Sequence, residues 1–289
     1  MLSLTLLLLT VQDKHVGVGA TPVTDATVLI DGTRKTLDEK WTYWEGPRFA
    51  SSLPIKWKIV EDPVDGGTVV MSDDPAAAGG RYGSADIVTK KKYRDFRLHI
   101  EFLVMHPGGN SGVYLQNRYE IQILDGDDTK HGMGAVTNES DSPYHAYNGV
   151  AKWNAYDIVF RAARFKDGAR TEKAMLTMYF NGKKVHQNFE IERVWGGPNS
   201  GVDGAGEGTP TDTPGGLKLQ AEGHDVRYRN AWIKELVLDE ADTDFVTTSP
   251  SGCVRVPAWY FRSNLVNCAT TSGFSRQRFR ISPGSAARS

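Results

Sequence analysis

Cysteine is nearly absent: Cys253 and Cys268 are the only two in 289 residues. They form no metal-ligand pattern; they either close one loop in an oxidising compartment or stay free. Net charge is equally sparse. Thirty-four basic residues against 35 acidic ones leave −1, which gives no electrostatic footprint for nucleic acid or for an anionic membrane. Beyond Met1–Val11 there is no long apolar run, and that run is too short to span a bilayer. Also missing are a phosphate-binding glycine loop, a histidine-rich metal motif and a Gly-x-Ser-x-Gly nucleophile. No segment carries a long amphipathic helix.

What the chain has in quantity is glycine (30), tryptophan (7) and tyrosine (11), the composition of a turn-rich, aromatic-rich β protein. From about Val28 onward apolar residues recur with period two. Val69–Met71, Ala85–Val88, Asp95–Met105, Tyr156–Arg161, Lys173–Phe180, Lys184–Phe189, Gly216–Ala221 and Val226–Leu238 read as strands, with Asn181-Gly182 a hairpin turn. Many short strands argue for an all-β sandwich or jelly roll. Two long loops interrupt it, Gly126–Lys152 and Trp195–Pro214, and loops of that length are functional or disordered. Three regions follow. Residues 1–20 read as a signal peptide, with a buried terminal strand as the alternative; residues 21–240 form the domain; residues 241–289 form a poorly ordered extension.

The densest stretch is Asn110–Asp125. Two alternating runs, Val113–Gln116 and Tyr119–Leu124, are joined by Asn117-Arg118, a hairpin pattern. Tyr119, Ile121 and Ile123 point one way; Glu120, Gln122 and Leu124 point the other. The polar face is either an ordinary solvated surface or the floor of a cleft.

The pieces Gly108–Leu115 and Arg118–Asp125 resemble the 3-keto-disaccharide hydrolase domain family. Trp41-Thr-Tyr-Trp44, Asp95–Phe102, Gly132–Ala135, Lys152–Ile158 and Gly216–Lys234 appear in that family's order, so the resemblance spans about residues 36–238. It implies a concanavalin A-like jelly-roll β-sandwich with long loops over a concave face. It also implies a secreted or periplasmic bacterial hydrolase acting on carbohydrate. Many members carry Arg where Gln116 stands, and many carry His two residues before His224.

The family's chemistry needs a base for the C2 hydrogen of a 3-keto-glycoside, a donor over the C3 oxygen and an acid for the departing oxygen. Glu120 is the first candidate for the catalytic carboxylate, His224 for its partner, and Glu101, on the polar face of its strand, for a second carboxylate. Arg118 and Lys130 are candidates for oxyanion stabilisation. Tyr114, Tyr144 and Trp153 offer stacking faces, with core packing as the alternative. Asn110, Gln122 and Gln220 are candidates for sugar hydroxyls, while His99 and His186 read as surface residues and Trp232 as core. No cofactor is expected, although Asp125-Gly126-Asp127-Asp128 leaves a hard divalent cation open. Partners are a carbohydrate substrate and, for the elimination route, an upstream sugar 3-oxidoreductase; neither nucleic acid nor membrane is expected. Two other functions fit the same face: a non-catalytic glycan-binding module, and a conventional glycosidase using Glu101 and Glu120.

Overall fold

The structure, a computed structural model, describes residues 16–44, 55–73, 85–195, 210–239 and 242–244, and the backbone of 247–248 and 254–255. In chain order the strands are β1 (Thr27–Ile30), β2 (Trp41–Tyr43), β3 (Lys58–Glu61), β4 (Thr68–Met71), β5 (Ile87–Thr89), β6 (Asp95–Val104), β7 (Asn110–Leu115) and β8 (Tyr119–Leu124). There follow β9 (Trp153–Arg161), β10 (Arg164–Lys166), β11 (Ala169–Glu172), β12 (Ala174–Phe180), β13 (Lys183–Ile191), β14 (Lys218–Leu219) and β15 (Val226–Leu236), then the small pair β16 (Thr247–Thr248) and β17 (Val254–Arg255).

Two antiparallel sheets form the sandwich, as the period-two pattern requires. The larger runs β13-β12-β9-β6-β15-β4-β3, with β1 also paired to β15; the smaller runs β2-β5-β14-β7-β8. Between them lies one core. Phe96, Leu98, Ile100, Phe102 and Val104 of β6 meet Val113, Leu115, Tyr119, Ile121 and Ile123 of the β7–β8 hairpin, Leu219 of β14 and Leu217 just before it. The alternation that sends these side chains inward sends Glu120, Gln122, Tyr114 and Lys218 outward from the smaller sheet, and Arg97, His99 and Glu101 outward from the larger.

The hairpin turn lies one residue earlier than its pattern suggests. Arg118 N–H donates to the Leu115 carbonyl at 3.0 Å, with Gln116 and Asn117 both left-handed (φ 52° and 55°). The turn is therefore Gln116-Asn117, and Arg118 is an extra residue before the Leu115–Tyr119 pair. The Gly126–Lys152 loop is anchored along β8: Gly134 N–H donates to the Gln122 carbonyl at 2.8 Å and Gln122 N–H to the Ala135 carbonyl at 3.0 Å. That pairing explains Gly132–Ala135, since Gly134 is left-handed and a Cβ there would press on Pro143.

Residues 16–20, within the stretch read as a leader, are built into the domain. Gly17 N–H donates to Asp157 Oδ2 at 2.6 Å, Gly19 N–H to Glu101 Oε1 at 2.7 Å, and Asn230 Nδ2 to the Ala20 carbonyl at 2.9 Å. At the other end Thr243 and Asp244 are buried, and Asp244 pairs with Lys184 at 2.7 Å. The Met1–Val11 run, Cys253, Cys268 and most of the Trp195–Pro214 loop lie outside the described residues.

His99 is not a surface residue. It is fully buried on the outer face of the larger sheet, with Nδ1 2.6 Å from Asp157 and Nε2 3.3 Å from Glu101. Burial works to lower its pKa, but the two carboxylates overcome that and raise it to about 8. His186 is buried too, with Nε2 on the Gly134 carbonyl. A histidine raised in this way stabilises the fold fully below its unfolded pKa near 6.5, and the contribution is lost as pH rises through 8. The shift corresponds to about 2 kcal/mol. Urea unfolding of the wild type should show that loss between pH 6 and 9, and His99→Gln should lack it. A stability difference between the two that does not change with pH would contradict the assignment.

Candidate functional site

One rung crosses all five strands of the smaller sheet: Thr42 pairs with Val88, Val88 with Lys218, Lys218 with Tyr114, and Tyr114 with Glu120. On the next rung Gly112 faces Gln122, and Gln220 N–H donates to the Gly112 carbonyl at 3.0 Å. This outward face is not solvated. Lys218 is 0 % exposed, Tyr114 2 %, Gln220 3 %, and Glu120 and Gln122 7 % each.

Lys218 is the charge around which the face is arranged. Its Nζ lies 3.2 Å from Asp86 Oδ2, 3.7 Å from the centroid of the Tyr114 ring and 4.5 Å from that of Trp44. Burial lowers the ammonium's pKa and raises that of the Asp86 carboxyl, while each partner's charge opposes both shifts. Asp86 is fixed further by Ala221 N–H, which donates to Oδ1 at 2.8 Å.

Glu120 leans across its neighbour strand. A Cβ on Gly112 would lie 2.5 Å from Glu120 Oε1, so the carboxylate occupies the space that the glycine leaves open. Burial raises the Glu120 pKa to about 7, against the lowering effect of the Tyr114 hydrogen bond and the Lys218 charge; the nearby Glu222 adds to the rise. Gln220 Nε2 donates to Tyr114 Oη at 3.3 Å, so a hydrogen-bonded chain runs Gln220–Tyr114–Glu120. A carboxyl poised near neutrality beside a buried cation suits proton transfer next to developing negative charge.

Of the residues selected from sequence, Glu120, Gln122, Tyr114 and Gln220 come together on this face. Asn110 and His224 stand at its end, joined by Asn110 N–H donating to His224 Nδ1 at 2.8 Å. An accepting Nδ1 leaves the neutral ring's proton on Nε2. Arg118 is buried at the hairpin turn, where Nη1 donates to the Gln116 carbonyl, and Lys130 is exposed in the adjoining loop. The cation beside Glu120 is Lys218. Tyr144 serves the loop, with its hydroxyl donating to Asp125 Oδ1. Asp125 also accepts from Gly108 N–H, and Asp127 from Thr129 N–H. Among the described residues no three His, Cys, Asp or Glu side chains are grouped to hold a metal ion.

Two expectations are corrected. Glu101 projects from the outer face of the opposite sheet, where Arg229 Nε donates to it at 2.8 Å. There burial works to raise its pKa, but His99, Asn230, Gly19 N–H and Arg229 together hold it at about 2. The two sheets stand roughly 10 Å apart and the two carboxylates point away from each other. They therefore cannot meet the separation of roughly 5–9.5 Å that a glycosidase pair needs. Trp153 shares that far face, with its Nε1 donating to Asp62 Oδ1 at 3.1 Å and Arg229 over its ring. Sequence reading missed Lys218, Asp86, Trp44 and Glu222. The signal was there for Lys218, since Leu217 and Leu219 turned inward put Lys218 outward on the same face as Gln220.

With an antiparallel jelly-roll sandwich whose smaller sheet buries a carboxylate, a lysine and a tyrosine on its outer face, the protein falls, by comparison with known proteins, into a carbohydrate-active class. The chain is a member of the 3-keto-alpha-glucoside-1,2-lyase-like domain family, whose model matches residues 25–234. A solved structure from Parabacteroides distasonis described as a "putative glycosyl hydrolase" is 27 % identical, covering 74 % of this chain and 84 % of its own, with a TM-score of 0.57. A second so described, from the same organism, is 19 % identical over 73 % of this chain and 94 % of its own, with a TM-score of 0.48. No curated protein matches the chain.

Gly112→Ala should displace the Glu120 carboxylate while leaving the strand pairing intact. Any turnover that depends on Glu120 should fall at least about tenfold, the scale expected when a catalytic group is misplaced by an ångström. Unchanged turnover in a variant whose circular dichroism matches the wild type would show that the close approach is irrelevant.

Proposed function

We propose that the protein cleaves 3-keto-glycosides by elimination followed by hydration. The observation that carries this reading is Glu120 leaning over Gly112 beside Lys218, in a chain that belongs to a 3-keto-glucoside lyase-like family. A ketone at C3 acidifies the C2 hydrogen. Glu120 removes it as a general base, and the electron pair moves to the C3 oxygen as an enediolate. Lys218 supplies positive charge for that oxygen from a site with little water, where a charge acts more strongly than in solution. Collapse of the enediolate forms the C1–C2 double bond and breaks the bond from C1 to the departing oxygen. Water then adds across the double bond, so the net result is hydrolysis.

Tyr114 and Gln220 orient the base, and Gln122 and Asn110 face the sugar hydroxyls. The substrate comes from a sugar 3-oxidoreductase acting upstream, and we place both outside the cytoplasm.

Purified protein should release free sugar from a 3-keto-disaccharide and leave the unoxidised parent intact. Equal activity on both substrates would favour a conventional glycosidase; binding without turnover would leave a glycan-binding module. Deuterium at C2 should wash out into solvent. As a base with a pKa of about 7, Glu120 should give kcat/KM an ascending limb near pH 7.

Glu120→Gln should abolish turnover and also stabilise the fold. A carboxyl whose pKa is raised on folding favours the native state while protonated, below about 4.5, and that stability is lost as pH rises through 7. At pH 8 the variant should therefore be the more stable by about 3 kcal/mol. Full activity in Glu120→Gln would remove this residue from the mechanism.

A further inference from the structure

We propose that Thr137 is a positioning residue for Glu120: its hydroxyl anchors the ionised carboxylate from the side opposite Tyr114, so that the long loop after β8 holds the base in place. The role of that base rests on the elimination reading above; the contact itself does not.

The register of the loop against β8 sets the placement. Val136 bridges Ile121, Thr137 N–H donates to the Glu120 carbonyl at 3.1 Å, and Gln122 N–H donates to the Ala135 carbonyl at 3.0 Å. Thr137 is thus the direct neighbour of Glu120 on the loop side, as Tyr114 is on β7. Val136 turns inward with Ile121 into the core, so alternation turns Thr137 to the outward face with Glu120. Direct neighbours of this kind have Cβ atoms about 4.5–5.5 Å apart, within reach of a hydroxyl and a carboxyl. The loop is fixed at this point. Val136 N–H donates to Ser140 Oγ at 2.9 Å, and the Val136 carbonyl accepts from Glu139 and Ser140 N–H at 2.8 and 3.0 Å.

Thr137 is buried, and its hydroxyl closes no hydrogen bond among the described residues. It nevertheless lies near enough to the Glu120 carboxyl to favour the anion. A buried hydroxyl without a partner is costly, and it gains most from an acceptor that carries charge. The titratable and charged groups acting on Glu120 are Tyr114 from β7, Lys218 from β14 and Glu222 beyond it. The first two favour the anion and Glu222 opposes it. Thr137 adds a neutral donor across from Tyr114. A donor to the charged form keeps more of a buried carboxyl ionised near neutrality, which is the state that takes the C2 hydrogen. Once Glu120 holds that proton it is neutral, and the bond from Thr137 weakens.

The test uses the full chain with Thr137→Val, which keeps the branched shape and removes the donor, and Thr137→Ser, which keeps the donor. On a 3-keto-disaccharide the ascending limb of kcat/KM should move up by about one pH unit in Thr137→Val, the scale of one hydrogen bond to a charge. Its kcat/KM should then fall about tenfold at pH 6 and less than about threefold at pH 9. Thr137→Ser should restore the limb. An unmoved limb, a uniform loss at every pH, or no rescue by serine would overturn the proposal. Urea unfolding reads the same carboxyl without substrate. A carboxyl raised further in the folded state loses more stability as pH rises through its pKa. Between pH 5 and 9 the unfolding constant of Thr137→Val should therefore rise about tenfold more than that of the wild type. In a Glu120→Gln background that excess should vanish, and an excess that persists there would overturn the contact. Wild-type protein inert on the 3-keto-disaccharide would bring down the elimination reading alone, and the unfolding comparison would still decide whether Thr137 holds Glu120.

Discussion

Lys218 sits in the middle of the smaller sheet with no solvent contact, held between the Asp86 carboxylate and the Tyr114 ring. Burying a charge costs several kcal/mol unless a partner and good geometry offset it. The strands on either side of β14 provide both: β5 leads from Asp86 and β7 brings Tyr114. A one-residue slip of β14 would turn Lys218 into the apolar core and Leu219 out of it. The ion pair and the core packing therefore enforce the same register, and that register aligns Tyr114 with Glu120.

Two carboxylates of the same kind show what environment does. Glu101, on the far face, meets Arg229, His99, Asn230 and a glycine N–H and is held at about 2. Glu120, on the near face, is buried with fewer compensating groups and is raised to about 7. The first is pinned as an anion and works as structure, tying strands β6 and β15 to Gly19, while Asp157 of β9 holds Gly17 and His99. The second keeps both protonation states within reach near neutrality, the condition for proton transfer.

Some of the strained and close-packed positions fall beside the same face. Gln116 and Asn117 adopt left-handed backbone at the end of the β7–β8 hairpin, and Gln116 Nε2 reaches the carbonyls of Tyr93 and Arg94. Gly112 carries no side chain where Glu120 needs the room. The long loop after β8 donates and accepts through Gly134 and Ala135, so the edge strand that carries Glu120 and Gln122 is not left open. Sheet edge, turn and loop thus hold one carboxylate in place.

The sequence by itself determined most of the longer strands, their inward faces and the outward placement of Glu120 and Gln122, because alternation with period two is a local property of the chain. It also carried the family motifs and the Asn181-Gly182 turn, where both residues are left-handed (φ 51° and 81°). The tertiary structure decided which outward faces belong together. Glu101 and Trp153 have the same alternation as Glu120, yet they project from the other sheet, since strand order depends on contacts between residues far apart in the chain. The meeting of Asp86, Tyr114, Lys218 and Glu120 likewise required strands β5, β14, β7 and β8 to lie side by side. No local pattern specifies that arrangement; burial of the common core does.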